Sequence, residues 1–473
     1  MYNIVIGIEI HLELNTKTKM FSGSRVDTSS APNTNVNAKD LAHPGTLPLL
    51  NKVGVENAIK VCHALNFKID PIMRFDRKTY FYSDLSSGYQ DTQNYFPIGR
   101  DGYINIKLED GTDKKIRIEK VHAEEDTAKQ YHSGNITLID FNRAGTPLVE
   151  IVSKPDMSSG YEARKYVEGI REIVTFLGIS DGKMEDGSLR CDLNISINKP
   201  GEPFGTRTEV KNINTLSNLE KAVDFEVKRK KELIKNGKKE VQTTRRFDEK
   251  LGETVFMREK ESESDYKCIP DPNLPLIKIS EDWIKTIKDE MGYLPNDIRE
   301  KYQNEYNLSL RDINIFINNK TLLNIFEKTK EFTKNYKDLA NIILTDIQKL
   351  LKEEKIKYED IDPKKLGRLL ELINSKEVSL DMAKKKMLKK VLKGEDPDKL
   401  IDELDLEEIN SEDDLRKLIL KILEENPKYI ENYKNGGDRV ANSIVGKVMK
   451  ETKGKANPAL TNKLAEEELK KIK

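Results

Sequence analysis

Gly7-Ile-Glu9-Ile-His11-Leu-Glu13 alternates strictly, so on a strand Glu9, His11 and Glu13 share one face while Ile8, Ile10 and Leu12 share the other. Such a row supplies carboxylate oxygens and an imidazole nitrogen, the donors of a metal or acid–base centre. The polar face of a solvated edge strand gives the same pattern, so more acids are needed to decide. They follow at His122-Ala-Glu124-Glu125-Asp126, directly after the strand-like run Lys115 to Val121. Adjacent carboxylates raise one another's pKa unless a cation lies between them, which makes this run a metal-binding candidate, with a surface acidic turn as the alternative.

Two further runs alternate in the same way. Arg190, Asp192 and Asn194 point together in Ser188 to Ser196, and Arg207, Glu209 and Lys211 do so in Thr206 to Asn212. Acid and base on one face suit a divalent ion and the phosphates it accompanies, although a salt-bridged sheet face reads alike. Cationic and aromatic groups come from Arg77-Lys78-Thr-Tyr80-Phe-Tyr82, Asn142-Arg143-Ala-Gly145 and Thr243-Thr-Arg245-Arg246. Taken together, Lys78, Tyr80, Tyr82, Arg143 and Arg245 offer a basic and aromatic clamp for a phosphate-bearing cofactor, beside a candidate catalytic set of Glu125, Asp192, Arg190 and Lys211. Phosphoryl transfer needs such a set because it depends on positioning and charge neutralisation.

Other chemistries are not encoded. Neither a P-loop nor a G-x-G-x-x-G fingerprint occurs. Ser86-Ser-Gly88 and Ser158-Ser-Gly160 lack the glycines and lysine of an amidase serine cluster and read as turns. Cys191 falls opposite the polar row of its strand, so the chain is not expected to hydrolyse glutamine.

These residues need a scaffold. Short β-branched runs at Tyr2 to Leu14, Tyr103 to Leu108, Lys115 to Val121 and Leu189 to Asn198 alternate with sparse helical periodicity at Val55 to Leu65, Tyr161 to Leu177 and Asn218 to Asn236. After Trp283 the texture turns to Lys/Glu/Leu/Ile-rich helix. Leu339, Ile342, Ile343, Ile347, Leu350 and Leu351 form one apolar stripe, Leu366, Leu369, Leu370 and Ile373 a second, and a third begins at Leu415 beyond a break at Gly394 to Pro397. The expected fold is α+β, with a β-rich cradle at 1–290 followed by two all-α domains at 291–395 and 396–473. A chain of 473 residues is long enough for two or three cores.

Lys+Arg and Asp+Glu each number 81, so no global field marks a nucleic-acid binder. From Lys434 to Lys473, ten Lys/Arg stand against five Asp/Glu, an excess suited either to phosphates or to a solvated helical surface. Cys62, Cys191 and Cys268 are far apart, which argues against a disulfide framework or zinc site and for a reducing, cytoplasmic setting. The absence of a long apolar run predicts no membrane segment.

The segments Ile6 to Leu14, Pro44-Gly-Thr-Leu-Pro48, Phe75 to Tyr82, His122 to Asp126, Asp140 to Glu150 and Gly187 to Asp192 resemble, in order, the B-subunit family of the glutamine-dependent aspartyl/glutamyl-tRNA amidotransferases. Glu209-Val-Lys-Asn212, Glu240 to Asp248, Gly446 to Lys450 and Ala456-Asn-Pro458 continue the likeness over essentially the whole chain. Ser83 and Ser86-Ser87 depart from it, where relatives usually carry Pro and Pro-Lys. The resemblance implies a metal site at Glu9, His11, Glu125 and Glu209, with Glu124 and Asp192 close by, and a basic tail that meets tRNA. It also implies Mg²⁺ and ATP as cofactors, an amidase-type A subunit and a small C subunit in a heterotrimer, and a misacylated tRNA as substrate. Two rival functions are a non-catalytic tRNA scaffold and a hydrolase using Glu124 and Asp192.

Overall fold

The computed structural model describes residues 2–259, 267–404, 411–434, 440–452 and 456–471. Of the basic tail residues, Arg439, Lys453, Lys455 and Lys473 lie outside the described residues. The chain falls into two compact units, one ending at Pro295 and one beginning at Asn296.

The first unit is built on a nine-stranded sheet. Its strands in chain order are β1 (Asn3–Glu13), β2 (Lys68–Ile69), β3 (Gly99–Lys107), β4 (Asp113–Glu125), β5 (Pro147–Ser153), β6 (Leu189–Asn198), β7 (Thr208–Ile213), β8 (Thr243–Asp248) and β9 (Glu253–Glu259). Across the sheet they run β9-β8-β7-β6-β1-β5-β4-β3-β2, antiparallel except for the parallel pair β7 and β8. The first strand is therefore the fifth of nine, and the edge-strand reading of its polar row is excluded.

Alternation sorts the two faces. Ile6, Ile8, Ile10 and Leu12 are essentially fully buried and pack with helices α1 (Lys52–Ala64), α2 (Gly160–Phe176) and α3 (Leu216–Lys235) in one core. Each helix starts on a side-chain cap: Asn51 accepts from the Gly54 N–H, Ser159 from that of Glu162 and Thr215 from that of Asn218. Glu162 reaches back to accept from the Ser158 N–H at 2.7 Å, much as in a capping box. Ser158 and Ser159 are thus a helix start rather than a turn. The helices cover one face only, and the opposite face carries the polar row.

Residues 76–79, 89–92 and 267–270 make a small three-stranded sheet beside the large one. The second unit is helical. In it Leu339, Ile342, Ile343 and Ile347 are buried, as are Leu366, Leu369 and Leu370, while Leu415, Ile419, Ile444, Val448 and Leu464 belong to a cluster of their own. The first stripe is not a uniform α-helix, because Ile343–Ile347 form a π turn. No helix among the described residues is long and apolar enough to cross a membrane.

Candidate functional site

Strand register decides which side chains meet on the open face. Glu9 lies opposite Asp192, His11 lies between Arg190 and Glu150, and Glu150 lies opposite His122. On the far side Asn194 pairs with Glu209. The donors collect into two trios, His11 with Glu124 and Glu150, and Glu9 with Asp192 and Glu209; within each, the candidate ligand atoms lie within 4.8 Å of one another.

The trios differ in their electrostatics. In the first, His11 Nε2 stands 3.7 Å from Glu124 Oε1 and 3.6 Å from Glu150 Oε2, and His122 Nε2 stands 3.0 Å from Glu150. Burial alone would lower the His122 imidazole, but Glu150 and Glu124 outweigh it and raise its pKa to about 9. An imidazolium is thus built into this trio. In the second, burial and then Glu150, Asp192 and Glu209 all raise the Glu9 carboxyl. Lys211 pairs with the other two acids of this trio, its Nζ 2.5 Å from Asp192 Oδ2 and 3.4 Å from Glu209 Oε1. Asn194 Nδ2 donates to Glu9 Oε1 at 3.0 Å, and Thr244 Oγ1 to Glu209 Oε2 at 2.9 Å. Three carboxylates facing one ammonium suit a hard divalent cation.

Around the trios, Arg190 and Arg143 each donate to Asp126, at 2.8 and 3.1 Å. Between these arginines and Asp126, burial raises the Glu13 carboxyl to about 7, with Asp126 adding to the rise. Lys78 lies near enough to Glu150 to help hold its carboxyl low, after the larger effects of burial, which opposes, and His122. Tyr80 Oη donates to Gln90 Oε1 at 3.0 Å, and Gln90 Nε2 to the Glu125 carbonyl at 2.7 Å. Tyr82 is exposed.

The acidic run His122 to Asp126 is no surface turn. The strand continues through Glu125, and all four ionisable residues are buried. Residues 4–285 match the family described as the GatB/GatE catalytic domain, and residues 324–469 match the GatB domain. The chain is 43% identical over 473 residues to an aspartyl/glutamyl-tRNA(Asn/Gln) amidotransferase B-subunit of Clostridium acetobutylicum, covering 99% of both chains. It is likewise 43% identical over 462 residues to the B-subunit of the same name from Mesoplasma florum, covering 97% of this chain and 96% of the relative. This chain belongs to the GatB/GatE family.

Two expected site residues of this GatB/GatE chain stand apart from both trios. Glu125 occupies a separate pocket of charge, its Oε2 3.3 Å from Lys39 Nζ. Arg245 points to the helix side of the sheet, donating to Thr254 at 2.8 Å and lying 3.2 Å from Glu226 on α3. Its neighbour Thr244 is the residue that reaches the open face, because alternate residues of one strand face opposite ways. Glu124 and Asp192, the pair a hydrolase would need, fall in different trios. Sequence reasoning misses Glu150. Its signal is a single acid among the apolar residues of Leu148-Val-Glu-Ile-Val152, on the strand that turns out to flank β1. Cys191 is buried on the core side, as its alternation implies.

Proposed function

We propose that this chain uses ATP to activate the side-chain carboxylate of glutamate or aspartate esterified to tRNA, so that ammonia amidates it to Gln-tRNA or Asn-tRNA. The single observation that carries the reading is the open sheet face, where five carboxylates converge in two trios beside Lys211 and Lys78. The printed names of the relatives supply the substrate class. The donor set fits Mg²⁺, with Glu9, Asp192 and Glu209 as its holders and His11, Glu124 and Glu150 as a second position. When bound, Mg²⁺ neutralises phosphate charge.

The chain's own residues do the rest. A carboxylate is a poor acyl donor because oxide is a very poor leaving group. Transfer of the γ-phosphoryl to the carboxylate replaces that leaving group with phosphate, and ammonia then displaces it. Lys211 offers a fixed positive charge at the trio edge, while Arg190 and Arg143, held in place by Asp126, keep guanidinium charge on the same face. Glu125 positions Lys39 instead of holding metal. The partners in this reading are a glutaminase A subunit and a small C subunit in a cytoplasmic heterotrimer, with the helical tail 396–473 contacting tRNA.

The test is ADP release by the complex in the presence of Glu-tRNA(Gln) or Asp-tRNA(Asn), comparing wild type with Glu9→Gln and Glu125→Ala. Release stimulated by misacylated tRNA, abolished by Glu9→Gln and only reduced by Glu125→Ala, is the expected result. ADP release indifferent to Glu9→Gln would sink the site, and no release by the wild type would sink the function.

A further inference from the structure

The open face holds a cavity of about 270 Å³ that adjoins the Glu9 trio, with Glu9 itself in its wall. It lies where the pairing of β1 with β5 ends. That pairing stops at Glu9 and Val152, and beyond that point the Ile8 N–H bonds to the Ser153 hydroxyl at 2.8 Å instead of to a strand carbonyl. Gly7 lines the cavity on the central strand, between Ile6 and Ile8. Glycine weakens a strand interior and marks places where another group comes close. A Cβ at Gly7 would meet only Ser153, at 3.8 and 3.9 Å, so packing does not require the glycine. What a side chain there would do is fill the cavity.

The rest of the lining is selective. Phe204 presents an exposed ring at the cavity and Arg207 is exposed beside it. Asn194 uses its Nδ2 on Glu9, which leaves a buried Oδ1 without a hydrogen-bond partner, and the Ser196 hydroxyl lies one alternation further along β6. An acceptor next to a hydroxyl that can donate matches the edge of adenine, which offers an exocyclic amine and a ring-nitrogen acceptor. An aromatic ring supplies a stacking surface.

We propose that this cavity is an adenine subsite, with Phe204 stacking on the ring and Asn194 and Ser196 reading its edge. The inference rests on the functional reading above, in which two substrates carry adenine: ATP and the 3′-terminal adenosine of tRNA. The experiment takes the assembled complex with Phe204→Ala and, separately, Gly7→Val, and measures the Kd for ATP, inhibition by inorganic tripolyphosphate and the KM for misacylated tRNA. Phe204 is exposed, so its variant is expected to fold even if Gly7→Val does not.

A Kd for ATP raised about tenfold, with tripolyphosphate inhibition unchanged, assigns the cavity to the nucleotide. A tRNA KM raised to that extent with ATP binding unchanged assigns it to the terminal adenosine. If Phe204→Ala moves neither quantity, or GTP competes as well as ATP in the nucleotide case, the adenine subsite is wrong. A wild type that binds ATP but releases no ADP with misacylated tRNA would overturn the functional reading instead, leaving the binding comparison intact.

Discussion

Strand β8 separates two buried ionic regions that obey opposite rules. On its helix side the two acids Glu226 and Glu240 are bonded by three bases, Arg229, Lys230 and Arg245, with Arg229 2.7 Å from Glu226 and 2.9 Å from Glu240, and Lys230 2.6 Å from Glu240. Thr208 and Thr254 complete the bonding. On its open side Thr244 joins the trios, where five carboxylates face Lys211 and the His122 imidazolium, with Lys78 near Glu150. A closed network of this kind carries architecture, because a buried charge left unpaired is costly. The helix side holds one cation more than it has carboxylates, whereas the open side holds more carboxylates than cations, so an excess of acid, not burial, marks the site.

The largest expected effect lies on the helix side. Glu226→Gln leaves three cations facing one carboxylate and is expected to cost about 3–5 kcal/mol of stability. Chemical denaturation measures it, and activity per folded molecule should survive. On the open side Glu209→Ala should reverse that pattern, lowering tRNA-dependent ADP release by about 100-fold, the upper end of what losing even an outer partner of a metal ligand costs. Thermal stability there should hold or rise because repulsion on Glu9 is relieved. Loss of stability without loss of turnover would make the trio structural.

A smaller effect tests the residue that changed sides. Arg245→Met removes bonds to Thr254 and Glu226 but leaves Arg229 on Glu226, so a loss of about 1–2 kcal/mol is expected with the KM for ATP unchanged. A raised KM at unchanged stability would return Arg245 to the nucleotide.

Arg245 also shows where sequence reading stops. Period-two alternation locates β1, β4 and β6 and the polar row on each, since the side-chain direction of a strand is a local property. The order in which strands lie side by side is not local. β1 is central because β5 and β6, more than a hundred residues away, bracket it, and that pairing brings in Glu150. Sequence places Arg245 by the company it keeps, whereas its face depends on the phase of β8 against β7. The helices at 52–64, 160–176 and 216–235 are legible from periodicity because their caps and apolar stripes are local too. The π turn at Ile343–Ile347 leaves no trace in a hydrophobic pattern that simply continues through it.

Between the two ionic regimes lies a third, and it sharpens the comparison most finely. Near Glu125, the acids Glu125, Asp91 and Asp271 meet two bases, Lys39 at 3.3 Å from Glu125 and Arg77 at 3.1 Å from Asp271. The excess of one is held off by a proton. Burial first, and then Glu125 and Asp271, raise the Asp91 carboxyl to about 9, against about 3.9 in an unfolded chain. Between those values the unfolded chain gives up a proton that the folded chain keeps. The contribution from Asp91 is therefore fully present below about pH 4 and is lost as pH rises through about 9. Asp91→Asn mimics the protonated form, so the variant should exceed wild type in Tm at pH 8, by roughly 2–4 °C, and the gap should narrow markedly at pH 5 and close below about pH 4. A gap that is the same at both pH values would mean that Asp91 is ionised in the fold and that Lys39 and Arg77 between them serve all three acids.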